Sequence, residues 1–403
     1  MKQKLIVIGG GAAGFFAAIN AAELHPEMEV VILEGSNKVL QKVKVSGGGR
    51  CNVTHACFTP NELIEFYPRG KKELRGPFHQ FMTGDTMEWF ENRGVPLKIE
   101  DDNRIFPESN SSQTIIDYFL NSAKNAGVKV QTSTRVEAIE KNEEKFVVKT
   151  ASEDFIADYL LIATGSNAKV WSMIEDFGHT IVEPVPSLFT FNIFDNRIKE
   201  IPGISVPKAT VKVLNSKLEA QGPLLITHWG LSGPGILKLS AWGAVELYQK
   251  GYSFEIEVNW LSTNPETVLN ILKSIKKEQA KKQVIVRSAF TDIPKRLWEQ
   301  FVIAAQISTE TQWAQLSNRD LENLATQLSK NKFKVSGKST FKDEFVTAGG
   351  INLKEIDFKR FESKLHKNLF FAGEVLNIDA ITGGFNFQNA WTGGWIVANS
   401  VNN

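Results

Sequence analysis

Sulfur is scarce in this chain: two cysteines, Cys51 and Cys57, occur in 403 residues. Two thiols cannot make the disulfide framework of a secreted domain, and no Cys/His cluster has the spacing of a zinc site. A reducing compartment is therefore expected, and no metal. Net charge is lacking too, since 46 lysines and arginines face 45 acidic residues and leave a formal +1. That balance calls for neither nucleic acid nor a membrane surface as a partner. No apolar run reaches the ~18 residues that would cross a bilayer. The first such run, LIVIGGGAAGFFAA, is broken by glycines and lacks a small-residue cleavage site. A globular, cytoplasmic protein is the expectation. Internal repeats, paired-carboxylate motifs and a Ser-His-Asp order are absent as well. What is present is a chain of 42% apolar residues, long enough for two or three structural units.

The amino terminus carries the first positive signal. Leu5 to Ile8 is a short, β-branched apolar run that reads as a buried parallel strand. Gly9-Gly10-Gly11-Ala12-Ala13-Gly14 follows with the spacing GxGxxG, and Ala12 to Leu24 reads as a helix. Gly9 permits the tight turn, Gly11 lets a pyrophosphate approach the backbone, and Gly14 lets helix and strand pack closely. The helix N-terminus adds free N–H groups and partial positive charge for that anion. A second strand, Glu29 to Leu33, ends at Glu34, about 20 residues past Gly14, where a carboxylate accepts hydrogen bonds from a ribose. Strand, helix and acid at this spacing point to a dinucleotide site; a glycine-rich turn without ligand is the competing reading.

Later segments return to the same fold. Tyr159 to Ala163 is another apolar strand running into Ala163-Thr164-Gly165, preceded by strand-like pieces at Val128 to Thr132, Val136 to Glu140 and Phe146 to Thr150 that resemble a β-meander crossover. Leu369 to Ala372 is one more buried strand, closed by Gly373-Glu374, and Thr382-Gly383-Gly384-Phe385-Asn386-Phe387-Gln388 opens a helix to about Asn399. A helix N-terminus there suits a flavin ring, which gathers negative charge near N1 and the C2 carbonyl on reduction. A nicotinamide has no need of it. No second GxGxxG follows a strand, so NAD(P)H, as a transient electron donor, would have to dock without a Rossmann domain of its own.

GGGAAG, SGGGRCN (Ser46 to Asn52), RIFPES (Arg104 to Ser109), THWGLSGP (Thr227 to Pro234), TAGGI (Thr347 to Ile351) and FAGEVLNIDAITGGFNFQNAW (Phe371 to Trp391) occur in this order. With them the whole chain resembles the bacterial FAD-dependent oxidoreductases that include aminoacetone oxidase-type and bile-acid reductase-type members. The resemblance implies an α/β fold: a Rossmann-like FAD-binding domain, with a parallel sheet and β-meander crossover, interrupted by an inserted antiparallel β domain and a small helical domain. The expected boundaries are 1–188 and 346–403 for the FAD domain, 189–261 and 332–345 for the β-rich substrate domain, and 262–331 for the helical one.

On that resemblance SGGGRCN should cross the pyrophosphate toward the flavin ring. Gly47, Gly48 and Gly49 would avoid a collision with cofactor and allow positive φ, so that successive amides converge on its oxygens. Arg50 is then a charge beside the pyrophosphate or a substrate acid, Asn52 a partner for the ring edge, and Lys42 a nearby contributor. The full set expected at the cofactor is Gly9, Gly11, Ala12, Ala13, Gly14, Glu34, Lys42, Ser46, Gly47, Gly48, Gly49, Arg50, Cys51, Asn52, Val136, Ala163, Thr164, Gly165, Gly373, Glu374, Gly384, Phe385, Asn386 and Gln388. The chain departs from the family pattern at Asn377, Ala380 and Phe385, where relatives carry Asp, Gly and Tyr. That departure bears on substrate preference more than on FAD. Cys51 and Cys57 are one residue too far apart for a flavin disulfide-reductase pair, and Cys51 is read as a small buried side chain.

Within the insertion, short strands are expected at Phe189 to Phe194, Thr210 to Leu214, Lys217 to Ala220, Leu224 to Thr227 and Phe254 to Asn259, with a polar strand-like segment at Phe333 to Phe345. Thr263-Asn264-Pro265-Glu266 starts a helix, and helices are expected near 265 to 282, 294 to 306 and 318 to 330. His228 is expected at a strand-to-helix corner, either as a structural histidine or as an acid–base group. The chemistry anticipated is hydride exchange between flavin N5 and a small amine, ketone or enone, with NAD(P)H or oxygen as redox partner. A flavin-dependent RNA-modifying enzyme and a non-catalytic flavin sensor are the alternatives. Oligomeric state and catalytic residues stay unassigned.

Overall fold

The run Leu5 to Ile8 lies in β1 (Lys4–Ile8), and its apolar continuity has a direct cause: the strand is buried from Leu5 on. It leads into α1 (Ala12–Leu24) and β2 (Glu29–Leu33). Then come α2 (Gln41–Gly49), β3 (Thr54–His55), β4 (Tyr159–Ile162), β5 (Leu369–Phe371) and α3 (Phe385–Ser400). The sheet runs β5-β4-β1-β2 in parallel, with Lys129–Gln131 parallel beside β2, and Ile356–Asp357 and Glu362–Ser363 added antiparallel beyond β5. Val7 stands opposite both Ile32 and Leu161. The meander differs from the expected one by a strand: Val136–Asn142 and Lys145–Thr150 are joined by Asp154–Ala157, whereas the piece expected at Val128 to Thr132 pairs with β2 in the parent sheet instead.

The computed structural model describes residues 2–142, 144–339 and 346–402. It divides into two compact units, Met1–Val185 with Lys342–Asn403, and Pro186–Phe341. The last part of the strand expected at Phe333 to Phe345 lies outside the described residues.

In the first unit α1 is apolar on every side because α3 covers it. A Cβ at Gly394 would lie 3.1 Å from the Ala13 carbonyl oxygen, so the two backbones meet where α3 has no side chain. Phe16 sits 4.4 Å from Trp89 and 5.2 Å from Trp391, ring centre to ring centre, and Trp391 is fully buried in this aromatic core.

The second unit is a seven-stranded antiparallel sheet in the order Asn331–Ser336, Ser253–Asn259, Ser205–Val213, Glu219–Thr227, Gly230–Ser232, Thr190–Asn192, Lys338–Ser339. Helices Pro265–Glu278, Lys295–Ala304 and Asn318–Ser329 share its core, where Trp260 packs on Phe301 and Phe333. Two expected strands prove to be one, Glu219–Thr227. The gap between the two expected strands holds Gly222 and Pro223; the partner strand shifts register between Val206 and Ala209, and that irregularity accommodates a residue that cannot donate to the ladder. His228 is not at a strand-to-helix corner: it is exposed in the turn between Glu219–Thr227 and Gly230–Ser232, where Thr227 pairs with Gly230.

Candidate functional site

The carboxyl ends of β1, β2, β4 and β5 gather the first group of expected residues. Gly9 has φ +112°, and a Cβ there would lie 2.5 Å from the Ala163 carbonyl oxygen. At Gly14 it would lie 2.0 Å from the Gly9 carbonyl oxygen. Protein packing alone thus requires both glycines. Gly11 is different: φ is −93°, which any residue adopts, and no atom lies within 4 Å of where its Cβ would be. Gly11 is also the N-cap of α1 and offers no side-chain cap, so the first-turn amides, those of Ala12 and Ala13 among them, have no side-chain acceptor at the cap. Beside this turn the Thr164 hydroxyl is buried without a hydrogen-bond partner among the described residues. An open cradle, uncapped amides and an orphaned hydroxyl fit a pyrophosphate.

Around the cradle, Glu34 accepts from the amides of Gly10 and Ser36, each at 2.8 Å, which fixes the carboxylate at the end of β2. Lone pairs remain on both oxygens for ribose hydroxyls. The backbone amide of Thr134 donates to the Glu34 carbonyl at 2.9 Å, and this brings the chain to Val136, buried at the first position of its strand. A Cβ at Gly373 would be 3.2 Å from that of Ala13, and one at Gly165 3.6 Å from a Glu374 carboxylate oxygen. Glu374 pairs with the exposed Lys42, while its other oxygen accepts from the Thr347 amide at 3.0 Å.

The segment Ser46 to Asn52 forms the end of α2 and its exit. Ser46 is extended, and Gly47, Gly48 and Gly49 then follow with φ of +58°, +68° and +83°. The glycines are needed for conformation, and at Gly47 also for space, since a Cβ would sit 2.9 Å from the Phe106 ring. Gly48 and Gly49 face open space on their Cβ side. Arg50 pairs with Glu100 at 2.6 Å and lies over the Phe106 ring, 3.9 Å from its centre. Cys51 is fully buried, and burial pushes its thiol up to about 12, against a hydrogen bond from Ser46. Such a thiol is not a nucleophile. Cys57 is buried and free as well.

Next to this segment the chain is knitted to the start of α3, and sequence reasoning missed most of the joints. With its amide oriented to satisfy both ends, Asn52 accepts from the Gly384 amide at 3.0 Å and donates to the Thr54 and Ile105 carbonyls. Val53 offers its carbonyl to the Trp391 indole N–H at 2.9 Å, Thr54 donates its hydroxyl to the Gln388 side chain at 2.6 Å, and His55 Nδ1 meets the Gly383 carbonyl at 3.1 Å. Four consecutive residues therefore each hold one point of a helix more than 300 residues away. A Cβ at Gly384, where φ is +94°, would come within 2.6 Å of the Thr54 backbone.

Further side chains fix the same turn. The Tyr67 hydroxyl donates to the Phe385 carbonyl at 2.5 Å, Asn386 bonds both backbone groups of Ala380, and Arg69 grips the fully buried Asp379 with two nitrogens. Each polar atom of the Gln388 amide has a threonine partner, Thr54 and Thr86 on the oxygen and Thr392 on the nitrogen. Phe385 stacks on Phe66 at 4.3 Å and needs no polar partner. Asn377 accepts from the Gly349 amide at 3.0 Å. Among the described residues no metal-binding cluster exists, and no helix is long and apolar enough to cross a membrane.

Comparison with known proteins bears on the family and the fold. The family model described as HI0933-like protein Rossmann domain matches residues 3–400. The chain is 28% identical to the ribosomal RNA dihydrouridine synthase of Haemophilus influenzae over 98% of each chain. It is 26% identical to the 3-dehydro-bile acid delta(4,6)-reductase of Clostridium scindens over 99% of each. Among solved structures, the 3-ketosteroid-delta4-(5alpha)-dehydrogenase of Rhodococcus jostii has a TM-score of 0.50 at 11% identity, covering 98% of this chain and 97% of that one, which indicates a shared fold.

Proposed function

Because the chain belongs to the HI0933-like Rossmann-domain family of FAD-dependent oxidoreductases, we propose that it reduces a carbon–carbon double bond conjugated to a carbonyl in a small organic substrate, with NAD(P)H as electron donor. The observation that carries the cofactor assignment is Gly11: neither its backbone angle nor any protein atom requires glycine there, and at the N-cap of α1 the close approach of a ligand phosphate is the reason that the GxGxxG spacing supports. Bound FAD supplies hydride exchange at N5 of its ring. The protein's part is positioning and charge. Amides of the first turn of α1 hold the pyrophosphate, Glu34 accepts from the adenosine ribose, and the turn at Gly383 and Gly384 presents the positive end of α3 to the charge that reduction adds. Family membership leaves no place for the sensor reading.

The reaction type draws support from the two kinds of relative. A delta(4,6)-reductase saturates carbon–carbon double bonds of a bile acid, and a dihydrouridine synthase saturates the uracil double bond, which is itself conjugated to a carbonyl. Uridine in ribosomal RNA is accordingly the second reading. The near-neutral charge of this chain favours the small molecule, because RNA binding draws on clustered Lys and Arg. The test is an anaerobic single turnover: reduced holoprotein mixed with cyclic enones, and separately with ribosomal RNA lacking dihydrouridine. Rapid flavin reoxidation by an enone with saturated product supports the proposal. Reoxidation by the RNA alone, yielding dihydrouridine, would replace it with the second reading.

A further inference from the structure

His55 is the one ionisable side chain among the four residues that hold the start of α3, and the function above gives it no part. Its ring lies 4.5 Å from Phe385, the first residue of the helix, and 5.7 Å from Phe66. The Gly383 carbonyl oxygen carries no proton, so the contact with Nδ1 requires an N–H on that nitrogen. The neutral ring is then the Nδ1–H tautomer, and Nε2 bears the lone pair. No partner meets Nε2 among the described residues, and His55 lines an open pocket of about 510 Å³ with Phe58, Phe66, Glu62 and Glu65. The ring therefore gains or loses a proton at Nε2, with access to water, without releasing the turn it holds.

Position decides when it does so. A cation beside a helix N-terminus is unfavourable and His55 is half-buried, so position and burial both disfavour the charged ring. Burial lowers its pKa, and the Gly383 carbonyl, then Asp102, pull it up, with Arg104 opposing. The charged and titratable groups facing it are Arg104, paired across the strands, with Asp102, Cys57, Glu62 and Glu65; the turn at Gly383, Gly384 and Phe385 contributes none. A negative charge appearing at the positive end of α3 reverses the balance.

We propose that His55 takes up a proton at Nε2 when the flavin bound at the start of α3 is reduced, and returns it when the flavin is reoxidised. The balance is simple. A hydride from NAD(P)H brings two electrons and one proton to the flavin and leaves it one unit more negative; a second proton, from water, goes to His55 and compensates that charge. The inference rests on the flavin assignment above.

The test measures the reduction potential of the holoprotein against pH, with a reference dye titrated beside it, in wild type and in His55→Gln, whose amide keeps a donor for Gly383 but does not titrate. Over roughly pH 5 to 8, around the ordinary histidine value, the wild type is expected to take up one more proton per two electrons than the variant. Its reduction equilibrium is then steeper by a factor of about ten per pH unit, or about 30 mV. Parallel slopes in two flavin-loaded proteins would overturn the proposal. Should His55→Gln not hold FAD, His55→Asn, whose shorter amide does not titrate either, takes its place in the same comparison of slopes. A wild type that binds no FAD brings down the flavin assignment itself, an outcome distinct from parallel slopes.

Discussion

The starts of α1 and α3 look alike in sequence, each a glycine pair or triplet before a largely buried helix, yet they are opposite in construction. At α1 the decisive glycine, Gly11, faces open space at an ordinary backbone angle. At α3 the decisive glycine, Gly384, has φ +94° and is pressed against the Thr54 backbone, while Asn52, His55, Tyr67 and Arg69 fix the residues around it. On the proposed function the first glycine answers to what binds, while the second answers to what the protein packs against it. A loose anion cradle suffices where amides and a helix dipole do the binding, whereas a helix aimed at a ring must be held rigidly in place.

Substitutions that act on one end only would break or sharpen this contrast. The largest effect is expected from Arg69→Met, which removes the guanidinium held by two nitrogens against the fully buried Asp379 carboxylate and should cost about 3–5 kcal/mol of stability in urea unfolding. Gly384→Ala should follow at roughly 3 kcal/mol, combining a left-handed backbone with contact to Thr54. Gly11→Ser should do the reverse. Serine is a good N-cap, so the apoprotein should be as stable as wild type or slightly more so, while FAD affinity drops at least about tenfold, or ~1.4 kcal/mol, in a fluorescence titration. A Gly11→Ser protein with full affinity would erase the distinction between the two ends.

The smallest effect concerns pH. His55 has a lowered pKa in the folded apoprotein, so the folded state binds fewer protons than the unfolded one as pH falls through the ordinary histidine value. Stability contributed by the neutral ring is present above that value and is lost as pH drops toward the folded-state pKa. Because the group is half-exposed, the loss should stay under ~1 kcal/mol. Melting curves of wild type and His55→Gln should draw together as pH is lowered, and curves that keep a constant offset would show that the ring's charge is immaterial to the turn.

Much of the first end was legible in the sequence. Periodicity marked β1 and β2 as buried strands, and glycine spacing with Glu34 at the right distance located the cradle, because all of these depend on short stretches of chain. The second end was legible only as a motif. Its joints link residues 52–55 to 383–391, and nothing local in either segment announces the other. Arg69 and Asp379 lie 310 residues apart, and nothing local to either announces the ion pair that the fold buries. Arg50, expected beside the cofactor from its place in SGGGRCN, is engaged by Glu100 and Phe106, partners that come from a distant loop and strand. In the second unit, the two strands expected at Lys217 to Ala220 and Leu224 to Thr227 are one, because a register shift in the neighbouring strand makes room for Pro223.

The most direct test of the central claim is an anaerobic titration of the purified, FAD-supplemented protein with NADPH and then NADH, followed in the visible flavin band and ended by adding a cyclic enone. The account predicts a stoichiometric flavin band that one of the two donors bleaches and the enone restores. A protein that shows no bound flavin, even with FAD in excess, would contradict it.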